Sequence, residues 1–158
     1  MRILGEFQRT DGAIERRFTG AERKMIRNLA TGLADVMATA DDPDGFDDPV
    51  VQRLLPDAVP GDEEASAEFR AATRERLAEA KAAGAQRVVA DLEAAPGGVV
   101  RLDDEQAVVW AKALGDLRIA LAARVGIDNV QKATSPQGLM YAWLTWLQGS
   151  LVEVLDAA

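Results

Sequence analysis

Apolar positions along this chain alternate at the start and then recur at helical spacing to the end. The opening residues MRILGEFQRTDGAIERRFT alternate on both sides of Asp11-Gly12, a pair suited to the positive φ angles of a two-residue type I′ turn. Setting Thr10 opposite Ala13 places Arg9 opposite Ile14, Phe7 opposite Arg16 and Gly5 opposite Phe18. Ile3, Phe7, Ile14 and Phe18 then share one face, and Glu6 faces Arg17 on the other. The pattern predicts a β-hairpin.

Helical periods follow. Thr19-Gly-Ala-Glu22 has capping-box spacing and opens a helix to about Ala38, with Met25/Ile26, Leu29, Leu33 and Val36/Met37 inward. Asp48 and Pro49 start a short helix that Pro56 stops. Asp62 begins a long helical stretch to about Ala95, with a thin face of Ala65, Phe69, Ala72, Leu77, Ala80, Val88, Leu92 and Ala95. Gly84 within it marks either a close crossing or a break. Val99–Leu102 follows a Pro-Gly-Gly turn as a short extended segment, a candidate third strand beside the hairpin.

Asp103 and Gln106 form a second capping box, and Gly126-Ile127 suits a Schellman ending for the helix between them. Ser135-Pro136 opens the last helix, which carries Leu139, Met140, Trp143, Leu144, Leu147, Leu151, Val154 and Leu155. Tyr141, Trp146 and Val152 lie on its other sides. A helix apolar nearly all round is either central in a bundle or part of an oligomer interface, here a homodimer. The expected fold is mainly α: a bundle of about four to five helices with an N-terminal β-hairpin or a small three-stranded sheet. Residues 1–158 form a single domain, in which the 104–125 and 136–156 helices are the core pair and the hairpin packs across them.

Composition narrows the chemistry. Apolar residues make up 48% of the 158 positions, enough for one core. No stretch resembles a signal peptide or an uninterrupted membrane span; Leu139–Leu155, the nearest, contains Gln148, Gly149, Ser150 and Glu153. The expectation is a cytoplasmic protein without a membrane partner. Cys and His are both absent. Thiol nucleophiles, iron–sulfur ligation, structural zinc of the usual kinds, Ser–His triads and imidazole bases are therefore excluded. Ser66, Ser135 and Ser150 do not sit in a nucleophile-elbow sequence.

The acidic loop DDPDGFDDP fails as an EF-hand. Aligned on Asp42, Asp44 and Gly45, it places Ala40 at the first ligand position and Val51 at the last. Asp103, Asp104 and Glu105 are explained by the helix N-terminus that they open. No phosphate loop is present, since GDLRIALAARVG lacks the strand-then-lysine setting. No catalytic, metal or cofactor-binding residue is assigned, no cofactor is expected, and the expectation is not an enzyme.

Charge is unevenly placed. Residues 1–30 carry seven Lys and Arg against four Asp and Glu, whereas residues 31–80 carry four against thirteen. The acidic middle repels a phosphate backbone, so no direct nucleic-acid binding is expected. Arg16, Arg17, Arg23, Lys24 and Arg27 form the one basic cluster, read as a solvated hairpin edge and helix face, or else as a contact for phosphate or an acidic partner.

The stretch WAKALGDLRIALAARVGI poses the sharpest question. On the helical period Trp110, Ala111, Leu114, Leu117, Arg118, Leu121 and Val125 form one stripe, while Asp116 lies opposite with Lys112 and Ala120. Gly115 beside the stripe would let another backbone approach. Arg118 on an apolar stripe needs a carboxylate or several carbonyls, or a stem that packs while its head reaches water.

That stretch, with YAWLTWLQGSLVEVL, resembles an actinobacterial family of oxidative-stress regulators of the AosR type, often encoded beside a Clp-protease adaptor. By position, Trp110, Asp116, Leu117, Arg118, Ile127, Trp143, Leu144, Leu147 and Gln148 carry the resemblance. Trp110, Asp116, Arg118, Tyr141, Trp143, Trp146 and Gln148 are the candidate interface residues. The family's redox response is attributed to cysteines, which this chain lacks, so a thiol switch cannot operate here. The resemblance implies a transcription-associated stress regulator acting by protein–protein contact, with a sigma factor or RNA polymerase as partner. Its alternative is an accessory of Clp-type proteolysis that binds a protease component or a client.

Overall fold

The computed structural model describes residues 5–40, 48–55, 67–126 and 135–157. Ile3, the loop at 41–47, the connection at 56–66 and Ile127 lie outside them, so the readings placed there are not addressed below. Asp11 and Gly12, at φ 51° and 83°, turn β1 (Gln8–Thr10) into β2 (Ala13–Arg17). The register is the expected one, with Arg9 against Ile14 and Thr10 against Ala13. Val99–Leu102 is the third strand, β3; it pairs antiparallel with β2 and completes a sheet of order β1-β2-β3.

Among the described residues there are five α-helices: α1 (Gly20–Ala38), α2 (Pro49–Leu54), α3 (Ala67–Ala94), α4 (Asp104–Val125) and α5 (Pro136–Asp156). Their starts follow local chemistry. Thr19 Oγ1 accepts from the Glu22 N–H at 3.0 Å while Glu22 Oε1 accepts from the Thr19 N–H at 2.9 Å. Asp103 and Gln106 repeat that exchange before α4 at 2.7 and 2.9 Å. Asp48 caps α2 and Ser135 caps α5 through single side-chain bonds. Each such cap is worth about 1 kcal/mol. Gly126 closes α4 with φ 83°.

The central helix is α4. It packs against α1, α2, α3 and α5, and β2 and β3 also rest on it. Trp110, Leu114 and Leu117 are buried along its length. The expected α4–α5 pair is present, but α1 lies along α3 as a second pair, and α5 leans on α4 and β1 at the side of the molecule. Leu139, expected inward, is therefore 59% exposed.

The inward face of α3 holds the expected Val88 and Leu92 but otherwise differs from expectation. Ala78, Ala85, Val88 and Leu92 are buried, whereas Phe69, Ala72, Leu77 and Ala80 are exposed. A helix this rich in alanine carries little apolar asymmetry, so α1 and α4 decide which side is buried. At Gly84 the helix does not break, and among the described residues nothing outside its own backbone lies within 4 Å of a Cβ placed there.

Gly98 supplies a tight junction between hairpin and sheet. Its φ is +83°, a Cβ would stand 2.7 Å from the Phe18 carbonyl oxygen, and its own oxygen accepts from the Phe18 N–H at 2.9 Å. None of the described helices is long and apolar enough to cross a membrane.

Candidate functional site

The candidate interface residues fall into separate neighbourhoods. Trp110 is wholly buried, its ring forming a triangle with Phe7 and Phe18, at centroid distances of 6.3 and 5.8 Å from them while they stand 6.0 Å from each other. Its indole N–H donates to Asp91 Oδ2 on α3 at 2.8 Å, and Arg87 holds the same carboxylate one turn away. This is an anchor between layers, satisfied at its polar end.

Arg118, Tyr141 and Gln148 form a clasp between α4 and α5. The Arg118 guanidinium donates to Gln148 Oε1 at 2.7 Å and to the Tyr141 hydroxyl at 3.4 Å, and lies 5.2 Å from the centre of the Tyr141 ring. Gln148 Nε2 donates in turn to the Ala111 carbonyl oxygen at 3.0 Å. The partner expected for Arg118, a carboxylate or carbonyls, is thus an amide and an aromatic ring. Gly115 admits the Gln148 side chain rather than a backbone: a Cβ there would stand 2.9 Å from Nε2. Glycine, arginine and glutamine are one device for joining two helices.

Asp116 does not face open water as its position on the helical wheel suggested. Lys81 of α3 donates to it at 2.8 Å, and its side chain is 13% exposed. The α3 helix covers the side of α4 that the stripe left polar.

Trp143 and Trp146 lead to a residue the sequence placed wrongly. Arg16, read as part of a solvated basic cluster, is 3% exposed. Its Nη1 and Nη2 donate to Glu22 Oε1 and Oε2 at 3.2 and 3.3 Å, and its Nε donates to the Gly5 carbonyl oxygen at 2.8 Å. The rings of Phe18, Trp143 and Trp146 stand 4.6, 5.8 and 5.7 Å from the guanidinium carbon. The hairpin register already put Arg16 on the face of Ile14 and Phe18, and that signal outweighs its charge. Arg17, Lys24 and Arg27 remain exposed as expected.

Among the described residues, two apolar surfaces with large exposed side chains stand out. One is the outer side of α5, where Leu139, Trp146 and Val152 are exposed and no charged residue occurs from Pro136 to Val152. The other, which sequence reading missed, is a groove of about 610 Å³ between α3 and α4. Leu77, Val109 and Ile119 form its walls, and all three are exposed. Among the described residues no cluster of three or more Asp and Glu is placed to hold a metal ion.

A family model described as a domain of unknown function, DUF2017, matches residues 4–155. The chain is 32% identical over 128 residues to the oxidative stress regulator AosR of Mycobacterium bovis and to that of Mycobacterium tuberculosis strain H37Rv. Each match covers 68% of this chain and 58% of the relative, so the chain spans well under two thirds of the regulators' length. No solved structure matches. With nearly its whole length inside the family match, the chain belongs to the DUF2017 family and is similar to the AosR oxidative-stress regulators.

Proposed function

We propose that this chain is a non-enzymatic cytoplasmic regulator of an oxidative-stress response, and that it acts by contacting another protein. Its relatives named as oxidative stress regulators support the stress-response role. The observation that carries the mode of action is the pair of open apolar surfaces, since soluble monomers seldom leave such patches uncovered without a use. The partner belongs to the transcription machinery, a sigma factor or RNA polymerase, and the outer side of α5 receives a second copy of the chain. A chain of net charge −8 repels its own copies. The uncharged length of α5 is where that repulsion is weakest.

Affinity capture from native lysate, followed by mass spectrometry, tests the reading. Sigma factor or polymerase subunits support it, Clp subunits favour the proteolytic alternative, and an empty capture overturns contact with another protein as the mechanism. A companion measurement concerns DNA. The isolated chain is expected to shift promoter fragments weakly or not at all at physiological salt, because residues 31–80 are strongly acidic and Arg16 is buried. Tight, sequence-selective binding would contradict regulation through a protein partner.

A further inference from the structure

We infer that the groove between α3 and α4 binds an acidic amphipathic helix presented by the partner protein, an inference that rests on the protein-contact reading above. Its direction and length come from the pairs that join its two sides. Lys81 meets Asp116 and Asp91 meets Trp110, so the helices run antiparallel. The α3 side extends from Leu77 to Arg87, roughly 15 Å at the helical rise, or about three turns of a bound helix. The walls offer Leu77, Val109 and Ile119, three branched apolar side chains exposed at 39%, 37% and 43%. Anchors at every third or fourth residue of a helix meet such walls on one face.

The floor carries the most informative residue. Gly84 lies inside a 28-residue helix, where glycine weakens the element. Among the described residues nothing outside its own helix requires it, because the space before it is empty to 4 Å. What it does is keep the groove open where a side chain would fill it.

Charge selects the occupant. Lys81, Arg87 and Lys112 line the groove in a chain of net charge −8, and the carboxylates set against them are Asp116 and, through Arg87, Asp91. Lys81 is held by Asp116 and Arg87 by Asp91, which fixes both cations at the rim. Lys112 makes no ion pair among the described residues. A helix with leucine-like residues on one face and Asp or Glu along its flanks matches both features, and a basic helix matches only the first.

The full-length chain is titrated by fluorescence anisotropy with two synthetic helical peptides, alike in their leucine face but carrying Glu or Lys on the flanks. The Glu peptide should bind at least about tenfold more tightly than the Lys peptide, and Gly84→Leu and Lys112→Glu should each weaken it by about tenfold or more. Leucine is the better helix former, so Gly84→Leu should melt no earlier than the wild type and a loss of binding cannot be ascribed to unfolding. Val152→Glu on α5 should leave the titration unchanged. Equal binding of the two peptides, or binding indifferent to Gly84→Leu, overturns the inference, as does a dimer in sedimentation that Gly84→Leu splits and Leu139→Glu with Val152→Glu does not. Lysate capture repeated with Gly84→Leu separates the two readings. If that variant retains the wild-type partners, the groove is wrong and protein contact stands; if the wild type retains none, protein contact itself falls.

Discussion

Glu22 is used twice. Its carboxylate caps α1 by accepting from the Thr19 N–H, and the same group pairs with Arg16 at side-chain exposures of 0% and 1%. Removing one member of a buried pair leaves the other charge uncompensated. Glu22→Ala should therefore cost about 3–5 kcal/mol in denaturant unfolding, against about 1 kcal/mol for Thr19→Ala, which loses only a cap. The double variant Arg16→Met with Glu22→Leu should recover most of that loss, since it removes the charges together with their desolvation cost. A small effect of Glu22→Ala would show that water reaches the pair. The sequence contained both halves of this arrangement, the register that points Arg16 inward and the capping box that places Glu22. It did not contain their encounter, which depends on how the hairpin folds back over the first turn of α1.

Two glycines show how far local pattern determines an element. Gly98→Ala should destabilise by about 1–3 kcal/mol, because its φ is +83° and the added methyl would meet the Phe18 carbonyl. Gly84→Ala should do the reverse and raise stability by about 0.5–1 kcal/mol, as α3 gains helix propensity with nothing in the way. Thermal melts of the two variants should move in opposite directions. Turns, caps and strand register depend on neighbours a few residues apart, and Asp11-Gly12, Thr19, Asp103 and Ser135 all act as their sequence suggests. The inward side of α3 was legible at Val88 and Leu92 only, for the opposite reason. Phe69 and Leu77 suggested a face, but alanines dominate the helix and its packing partners α1 and α4 set the buried side. The same holds for Arg118, whose partners are 23 and 30 residues away.

At the level of the molecule, two behaviours follow. The chain should sediment as a dimer at tens of micromolar, on the order expected for a modest interface. Leu139→Glu combined with Val152→Glu should split it without unfolding. These positions test the contact better than Trp146, whose ring also covers Arg16. A wild type that remains monomeric would remove α5 as a self-contact. Oxidation is the second. With no cysteine present, mild peroxide should produce no change that dithiothreitol reverses. Among the described methionines, the half-buried Met25 and Met140 should gain oxygen before Met37, which is 3% exposed. Intact and peptide mass spectrometry read that order directly, and early oxidation of Met37 would show that α1 opens readily.

One hydrogen bond joins the two ends of the described fold: the Phe7 N–H donates to Ser150 Oγ, across 143 residues of chain. On a ribosome adding about 5–20 residues per second, roughly 7–30 s separate the synthesis of its two partners. The hairpin can turn at once, and Arg16 can find Glu22 within the first turn of α1. Trp143 and Trp146, which close over that pair, do not yet exist. Until α5 is made, a pairing of Arg16 with Glu22 would lack the cover of Trp143 and Trp146 and would carry less desolvation cost. Dehydration comes only when α5 arrives, so the last helix made is the one that seals the first structure formed.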